Sequence, residues 1–496
     1  MGRHTGDYLL GTVFLVAAFL VQLSHGGVDS KRSLPIERET LPQTALAATP
    51  PAAVRAILTD LPAGTRIVVG SLDVSGKRHS IRLRTTTAAT DDASLPVTRF
   101  TAGHGAGERQ TCETNGATTA AYRVESSDVH AASGISTVSW NIPSHEPLSV
   151  NLIQMTEASP RVFLTPHFAD TATTHEPAVC RAVGDSDRIR VFVDDRLLSC
   201  AEPEEYSHWL EVLTSAAELR ALPIVETWIG AISDVDQNEK LSVVVTDLDR
   251  RTPADSGQTP ILGCIRETDF CGDSDFCGDI VYVDQKIFEL STEEITALLS
   301  HEFVHAAVCS LLTDDSGAVR STVPSWLNEA IAHFVELRCC KQSPNGIDMT
   351  ENFQQRLDAF LASSEQSPIV AAENVLSSDE RRSGCRCAGT LFLAPLIASP
   401  DDLRALLCTD SALDCRIENL THNSFADVFQ AWTLSVATSD NTTGLHVKSI
   451  SDAKEQRCSV LGTAFQCFEC SDDVSTLVIE SDESAQLQVS VIEPGK

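Results

Sequence analysis

Hydrophobic positions along the 496-residue chain follow three successive patterns, two of β type around one that mixes strands and helices. Ahead of them stands an unbroken apolar run, Tyr8 to Val21, preceded by Arg3 and His4 and followed by Ser24-His25-Gly26-Gly27. Positive charge, apolar run and small residues in that order predict a signal peptide over residues 1–26. The run is short for a membrane-spanning helix. No later segment reads as a span, so none is expected after signal removal. Residues 27–60 are rich in Thr, Ala and Pro and hold no period, as in a linker or pro-segment. From 61 to 180, short alternating runs such as Arg66–Val69, His79–Arg84 and Pro147–Ile153 are separated by turn signals, which predicts a β-rich, sandwich-like domain. Phe168 to Asp187 is polar and turn-rich and reads as a boundary.

The second pattern covers 187–450. Arg188–Phe192, Lys240–Thr246 and Ile280–Val283 read as strands. Helical periods run over Glu202–Ile229, Ile295–Leu312, Ser325–Leu337, Glu351–Ser363, Gly389–Ile397 and Phe425–Val436. Ser291-Thr-Glu-Glu294 supplies a capping box for the second of these, and Pro324 opens the third. Residues 451–496 return to β-like alternation, as a short appendix containing cysteines. The fold class expected is α+β.

Composition narrows the function. With 37 Lys+Arg against 69 Asp+Glu, the net charge is −32. That acidity excludes nucleic acid or an anionic membrane as the main partner, since both require clustered positive charge. It suits a secreted or otherwise extracytoplasmic protein. Sixteen cysteines, an even number, allow up to eight disulfides in an oxidising compartment. Cys271 with Cys277 and Cys408 with Cys415 have local spacing. Cys467-Phe-Glu-Cys470 has the spacing of redox motifs and zinc knuckles, but its one potential partner pair is Cys385-Arg-Cys387, so disulfides are the stronger expectation.

One segment carries chemistry. His301-Glu-Phe-Val-His305 places two histidines at i and i+4 on one face of a capped, apolar helix, where both imidazoles reach one metal. Glu302, between them, reaches a water on that metal without binding it. A catalytic zinc needs a third protein ligand and an open position. A continuation as H-x-x-G-x-x-H is excluded, because Val308 and Leu311 occupy those positions, and no Asp after Gly-Thr follows closely. A Glu on the next helix remains: Trp326-Leu-Asn-Glu-Ala-Ile-Ala-His-Phe-Val-Glu336 offers Glu329, with Glu336 as the fallback.

H-E-F-V-H followed by W-L-N-E-A-I-A resembles the zinc-binding helices of the gluzincin metallopeptidases. It is most similar to the hyicolysin-type neutral metallopeptidases, whose Asp-rich turn before a strand also resembles Asp234 to Asp249. The resemblance spans roughly 187–340. It implies a zincin-like domain in a secreted, zinc-dependent endopeptidase acting on proteins or peptides. His301, His305 and Glu329 would bind Zn2+, and Glu302 would be general base and then acid. The sequence departs from the pattern in places. Ala330 replaces a Gly. His333 stands where an acidic residue orients a zinc His. No downstream Tyr is present to stabilise an oxyanion, the four Tyr being 8, 122, 206 and 282. His422, His446 and the arginines of 381–386 are the remaining candidates for that role. Ca2+ is a secondary expectation. Asp234-x-Asp236-x-Asn238 begins like a calcium loop, although Glu239 and Val245 break the EF-hand pattern. Asp273, Asp275 and Asp279 form a second acidic loop. A non-catalytic zinc-binding or protein-binding relative of the fold is the alternative.

Overall fold

A computed structural model of the chain describes residues 54–85, 97–101, 151–152, 160–168, 173–198, 203–250, 261–271, 277–313, 323–341, 351–371, 379–409, 412–438, 444–451, 455–481 and 486–494. The expected signal peptide, the expected linker up to residue 53, Asp273, Asp275 and the Cys271 side chain lie outside these residues, and with them the expected Cys271–Cys277 bridge. The chain divides into two compact units. One takes Met1–Ser136, Leu357–Ala398 and Ile417–Lys496, and the other takes Thr137–Arg356 and Ser399–Arg416. The division differs from the expected single domain over 187–450. Residues 357–398 and 417–450 belong with the β-rich unit.

That unit is built from both ends of the chain. Its strands are β1 (Val54–Thr59), β2 (Arg66–Ser71), β3 (Arg78–Thr85), β4 (Val97–Thr101), β12 (Val447–Ile450), β13 (Gln456–Leu461), β14 (Phe465–Cys470), β15 (Thr476–Ser481) and β16 (Leu487–Glu493). They form two sheets, β1-β15-β3-β13 and β12-β14-β2-β16-β4. The C-terminal residues are therefore not an appendix: β15 lies between β1 and β3, and β16 between β2 and β4. The reason is burial. β3 alternates buried and exposed positions, so its apolar face needs a facing sheet, and the N-terminal strands alone are too few to provide one. Leu58, Ile81, Leu83 and Ile479 of one sheet share a core with Ile67, Val69, Phe468 and Val491 of the other. Cys467 and Cys470 are free, buried thiols on β14. Three residues apart on a strand, they point to opposite faces, which rules out a knuckle or a bridge between them. The helix Asp379–Leu393 begins ten residues before the expected Gly389, because its first turns are polar and carry no apolar period.

The second unit centres on a sheet of order β10-β11-β9-β8-β7-β5, with β6 paired to β7. The strands are β5 (Asn151–Leu152), β6 (Arg161–Phe168), β7 (Thr173–Asp185), β8 (Ile189–Asp194), β9 (Leu241–Thr246), β10 (Gly263–Ile265) and β11 (Ile280–Asp284). β8, β9 and β11 run parallel. Every residue of β9 and of β11 is buried, as a sheet covered on both faces requires. The crossover from β8 to β9 is helical: α1 (Pro203–Ser215), a π-helical turn (Ala216–Ala221) and α2 (Leu222–Trp228). Then come α3 (Thr292–Leu312) and α4 (Ser325–Lys341), and from the separate later segment α5 (Pro400–Cys408). Arg404 of α5 donates to the Ile229 carbonyl after α2. Cys408, at the end of α5, keeps a free thiol and makes no bond to Cys415. The expected boundary at 168–187 is instead the long hairpin β6–β7, paired from Arg161↔Cys180 to Phe168↔Thr173. One face of it is wet, with Thr174 to Pro177 and Val179 exposed while Ala178 and Cys180 are buried. A half-solvated antiparallel hairpin reads as polar in sequence.

α3 is 21 residues long and apolar enough by composition to cross a membrane, contrary to the expectation that no later segment qualifies. It is instead the core helix of this unit, with Leu299, Phe303, Val304 and Ala306 fully buried. Ser291 caps it, and the expected capping box with Glu294 is formed.

Beneath the sheet edge, Tyr282 of β11 donates to Asp269 Oδ2 at 2.9 Å. Burial pushes the Asp269 carboxyl up to about 6, while Arg266 pulls the other way. The folded value lies above the unfolded one, so the protonated form favours the fold and stability from this group is lost as pH rises through about 6. Tyr282→Phe is expected to cost about 2 kcal/mol at pH 8, where the carboxylate loses a donor, and clearly less at pH 5. Denaturant titration at the two pH values checks this.

Candidate metal centre

The two helices that bear the motif pack on each other. α4 has no polar stripe deep enough to isolate its charged residues from the core: Leu327, Ala330, Ile331, Phe334 and Val335 are buried on it. The small Ala330, fully buried, keeps the helix surface low at the resemblance's Gly position. Trp228 of α2 meets Phe334 edge-on at 5.2 Å and fixes the other side of α4. Between α3 and α4 lie His301, His305, Glu329, His333 and Glu336.

Their contacts form one connected set. His301 Nε2 and His305 Nε2 stand 3.2 Å apart. His301 Nε2 is 3.6 Å from Glu329 Oε2, and His301 Nδ1 is 3.3 Å from Glu336 Oε2. His333 Nδ1 donates to the same Glu336 oxygen at 2.7 Å. His305 Nδ1 donates to Asn328 Oδ1 at 3.0 Å. The structure thus sets His301 against each of the other two expected ligands, His305 and Glu329. The tightest trio is nevertheless a different one: ligand atoms of His301, Glu329 and His333 all lie within 4.8 Å of one another. Glu336, the fallback ligand, sits behind two imidazoles instead of in front of them. It takes the orienting part of the acidic residue that His333 displaced. Sequence spacing alone held a signal for this, since Glu329, His333 and Glu336 repeat at i, i+4 and i+7 along one helix face.

The electrostatics match a site for a cation. Burial opposes charge on His301, but Glu329, Glu336 and Glu302 outweigh it and raise the ring to about 9. Burial lowers His333 to about 3, helped by the charges of Arg356 and His301. Glu336 is also buried, yet its two histidine neighbours hold it far below the usual carboxylate range. The site therefore holds the Glu336 carboxylate ionised and the His333 imidazole neutral. Each of His301 and His305 places a second nitrogen against an acceptor, which turns their Nε2 atoms toward each other. Two such nitrogens 3.2 Å apart need a proton or a metal between them. The residues present fit a metal ion of the zinc type, which takes imidazole and carboxylate ligands together.

Glu302 faces a different neighbour. A Cβ on Gly263 would fall 2.7 Å from Glu302 Cγ and 2.8 Å from its Oε1. Only a glycine lets the edge strand β10 run this close to Glu302. Next to it, burial and the Glu302 charge push the Cys264 thiol well above its usual range, so it stays protonated. Sequence patterns gave no warning of Gly263, because the contact joins two distant segments.

Tyr282 is fully buried and committed to Asp269. His422 and His446 are exposed and fall in the β-rich unit. Arg386 falls in that unit as well, and the Arg381 and Arg382 side chains lie outside the described residues, as do Tyr8 and Tyr122 and the Tyr206 side chain. Of the acidic turns, Asp234, Asp236 and Asp279 have carboxylate oxygens within 4.8 Å of one another, combining two residues of the first expected loop with one of the second. Burial, with the Asp236 and Asp234 charges, pushes the Asp279 carboxyl up to about 7. Asn238 instead accepts from Lys240 N.

Compared with known proteins, the chain matches no family model and no curated protein. The function therefore has to be argued from the site itself.

Glu336→Gln is expected to weaken zinc binding by about 10–100-fold, the usual cost of losing an orienting carboxylate. Competition against a chelator of known affinity measures it.

Proposed function

We propose that the chain is an exported zinc metallopeptidase that cleaves proteins or peptides. The observation that carries this reading is the meeting of His301 with His305 and Glu329 across two packed helices, with Glu302 beside the edge strand β10. Zinc in such a site supplies a Lewis acid and an activated water. His301, His305 and Glu329 would hold it. Glu336 and Asn328 would keep the two histidine rings turned toward it, each accepting from a ring nitrogen. Glu302 would take a proton from the attacking water and return it to the leaving amine. Its carboxylate lies in the low-dielectric gap beside Gly263, where a positioned base acts without solvent competition.

Strand β10 supports a peptide as the substrate. It is the outermost strand on its side of the described sheet and pairs only with β11 there. An extended chain laid along its free edge gains backbone hydrogen bonds and passes Glu302. The net charge of −32 and the signal-like N-terminus support a secreted or extracytoplasmic setting. A second reading, a non-catalytic zinc-binding protein of the same fold, is favoured by one observation: Tyr282, the one Tyr whose side chain is described, is committed to Asp269.

The test compares the purified exported chain with Glu302→Gln on an unfolded protein substrate, with zinc content read on both. The wild type is expected to cleave, and Glu302→Gln to be slower by about 10²–10⁴-fold while keeping one zinc per chain. Zinc on both with cleavage by neither supports the binding reading, and zinc on neither overturns the proposal. Gly263→Ala is expected to lower the turnover rate by at least about 10-fold, since 1.4 kcal/mol of misplacement is enough for that, without releasing zinc.

A further inference from the structure

His333 is the one imidazole of the site that the peptidase reading leaves without a task. It lies four residues after Glu329 on α4, so the two share a face of the helix. It is 2% exposed. Its Nδ1 donates to Glu336 at 2.7 Å, which fixes the tautomer and leaves the lone pair on Nε2. That Nε2 is buried and meets no hydrogen-bond partner. It points into the cluster, 4.0 Å from Glu329 Oε2, and its ring centroid is 4.5 Å from that of His301.

A packing role does not account for this arrangement. A histidine kept only for its volume would leave a lone pair desolvated with nothing to receive, facing a carboxylate oxygen that is also an acceptor. Two acceptors turned toward each other in a buried site are reconciled by a cation between them. The shared Glu336 oxygen treats His301 and His333 alike, contacting Nδ1 of each. A carboxylate held against Nδ1, with Nε2 forward, is the arrangement of metal-ligating histidines.

We propose that His333 is a fourth protein ligand of the metal, through Nε2, beside His301, His305 and Glu329. The inference rests on the reading of this site as a metal centre and deepens it. A catalytic zinc usually keeps three protein ligands and an open position. Here water would enter only by expansion to five ligands or by release of His333. Retention of His333 on the metal would hold the site closed until substrate displaced it.

The test loads the full chain with zinc and counts imidazole ligands by X-ray absorption, for the wild type and for His333→Gln. Zinc affinity is measured alongside by chelator competition. Three imidazoles in the wild type, two in His333→Gln and a loss of affinity of at least about 10-fold are expected. Two imidazoles in the wild type, with one zinc bound, overturn this inference and leave the metal centre standing. A wild type that binds no zinc overturns both. The wild-type count decides the matter even where His333→Gln fails to fold. Cobalt(II) in place of zinc gives an independent check, because five-coordinate and four-coordinate cobalt differ in the intensity of their visible bands.

Discussion

Burying charge between two apolar helices is the constraint on which the rest of this unit depends. α3 and α4 are core helices, yet they carry His301, Glu302, His305, Glu329, His333 and Glu336 within a few turns. Isolated, each ionised group would be expelled or neutralised. Together they hold one another: one Glu336 oxygen meets two imidazoles, Asn328 meets a third, and Glu329 faces His301. The carboxylates around His301 favour the positively charged form of its ring. A cluster arranged in this way is poor as a stabilising device, since buried ion pairs rarely repay their desolvation. It is well suited to binding a cation.

The scaffold serves that cluster in a specific manner. Parallel strands β8, β9 and β11, buried on both faces, form a rigid base. The π-helical turn between α1 and α2 packs against α3, and Trp228 at the end of α2 locks Phe334. The edge strand β10 is the single antiparallel strand next to β11, and Gly263 on it gives Glu302 its place. Catalytic sites need side chains held to within fractions of an ångström, and helices on a buried sheet hold them better than loops do. The β-rich unit, by contrast, gathers none of the expected ligands. Its construction from the two ends of the chain makes its folding a long-range event, with β15 needing β1 and β3 before it is covered on both sides.

Much of the site was legible in the sequence. The capping box at Ser291, the helix through His301 and His305, the helix after Pro324 and the three parallel strands all follow from local rules of period, capping and propensity, and tertiary packing did not override them. The pairing of His301 and His305 on one face follows from the i, i+4 geometry of any helix. Other elements escaped. The polar residues of β7 read as a boundary, because an antiparallel strand wet on one side has the composition of a loop. The C-terminal strands read as an appendix, because sheet pairing between residues 54–101 and 447–493 leaves no mark in either segment.

What the sequence by itself determined is therefore the set of candidate ligand types and their helical spacing, since both depend on residues within one or two turns. What only the tertiary structure decided is how those residues divide the work. The pattern offered Glu336 as a spare ligand and left the part of His333 open. The angle at which α4 meets α3 sets Glu336 behind the imidazoles and turns His333 Nε2 into the cluster. It also took the approach of β10, from a segment nearly forty residues away, to make Gly263 the neighbour of Glu302. Helical spacing is a property of the local backbone; the direction in which a buried side chain faces is a property of what packs against it.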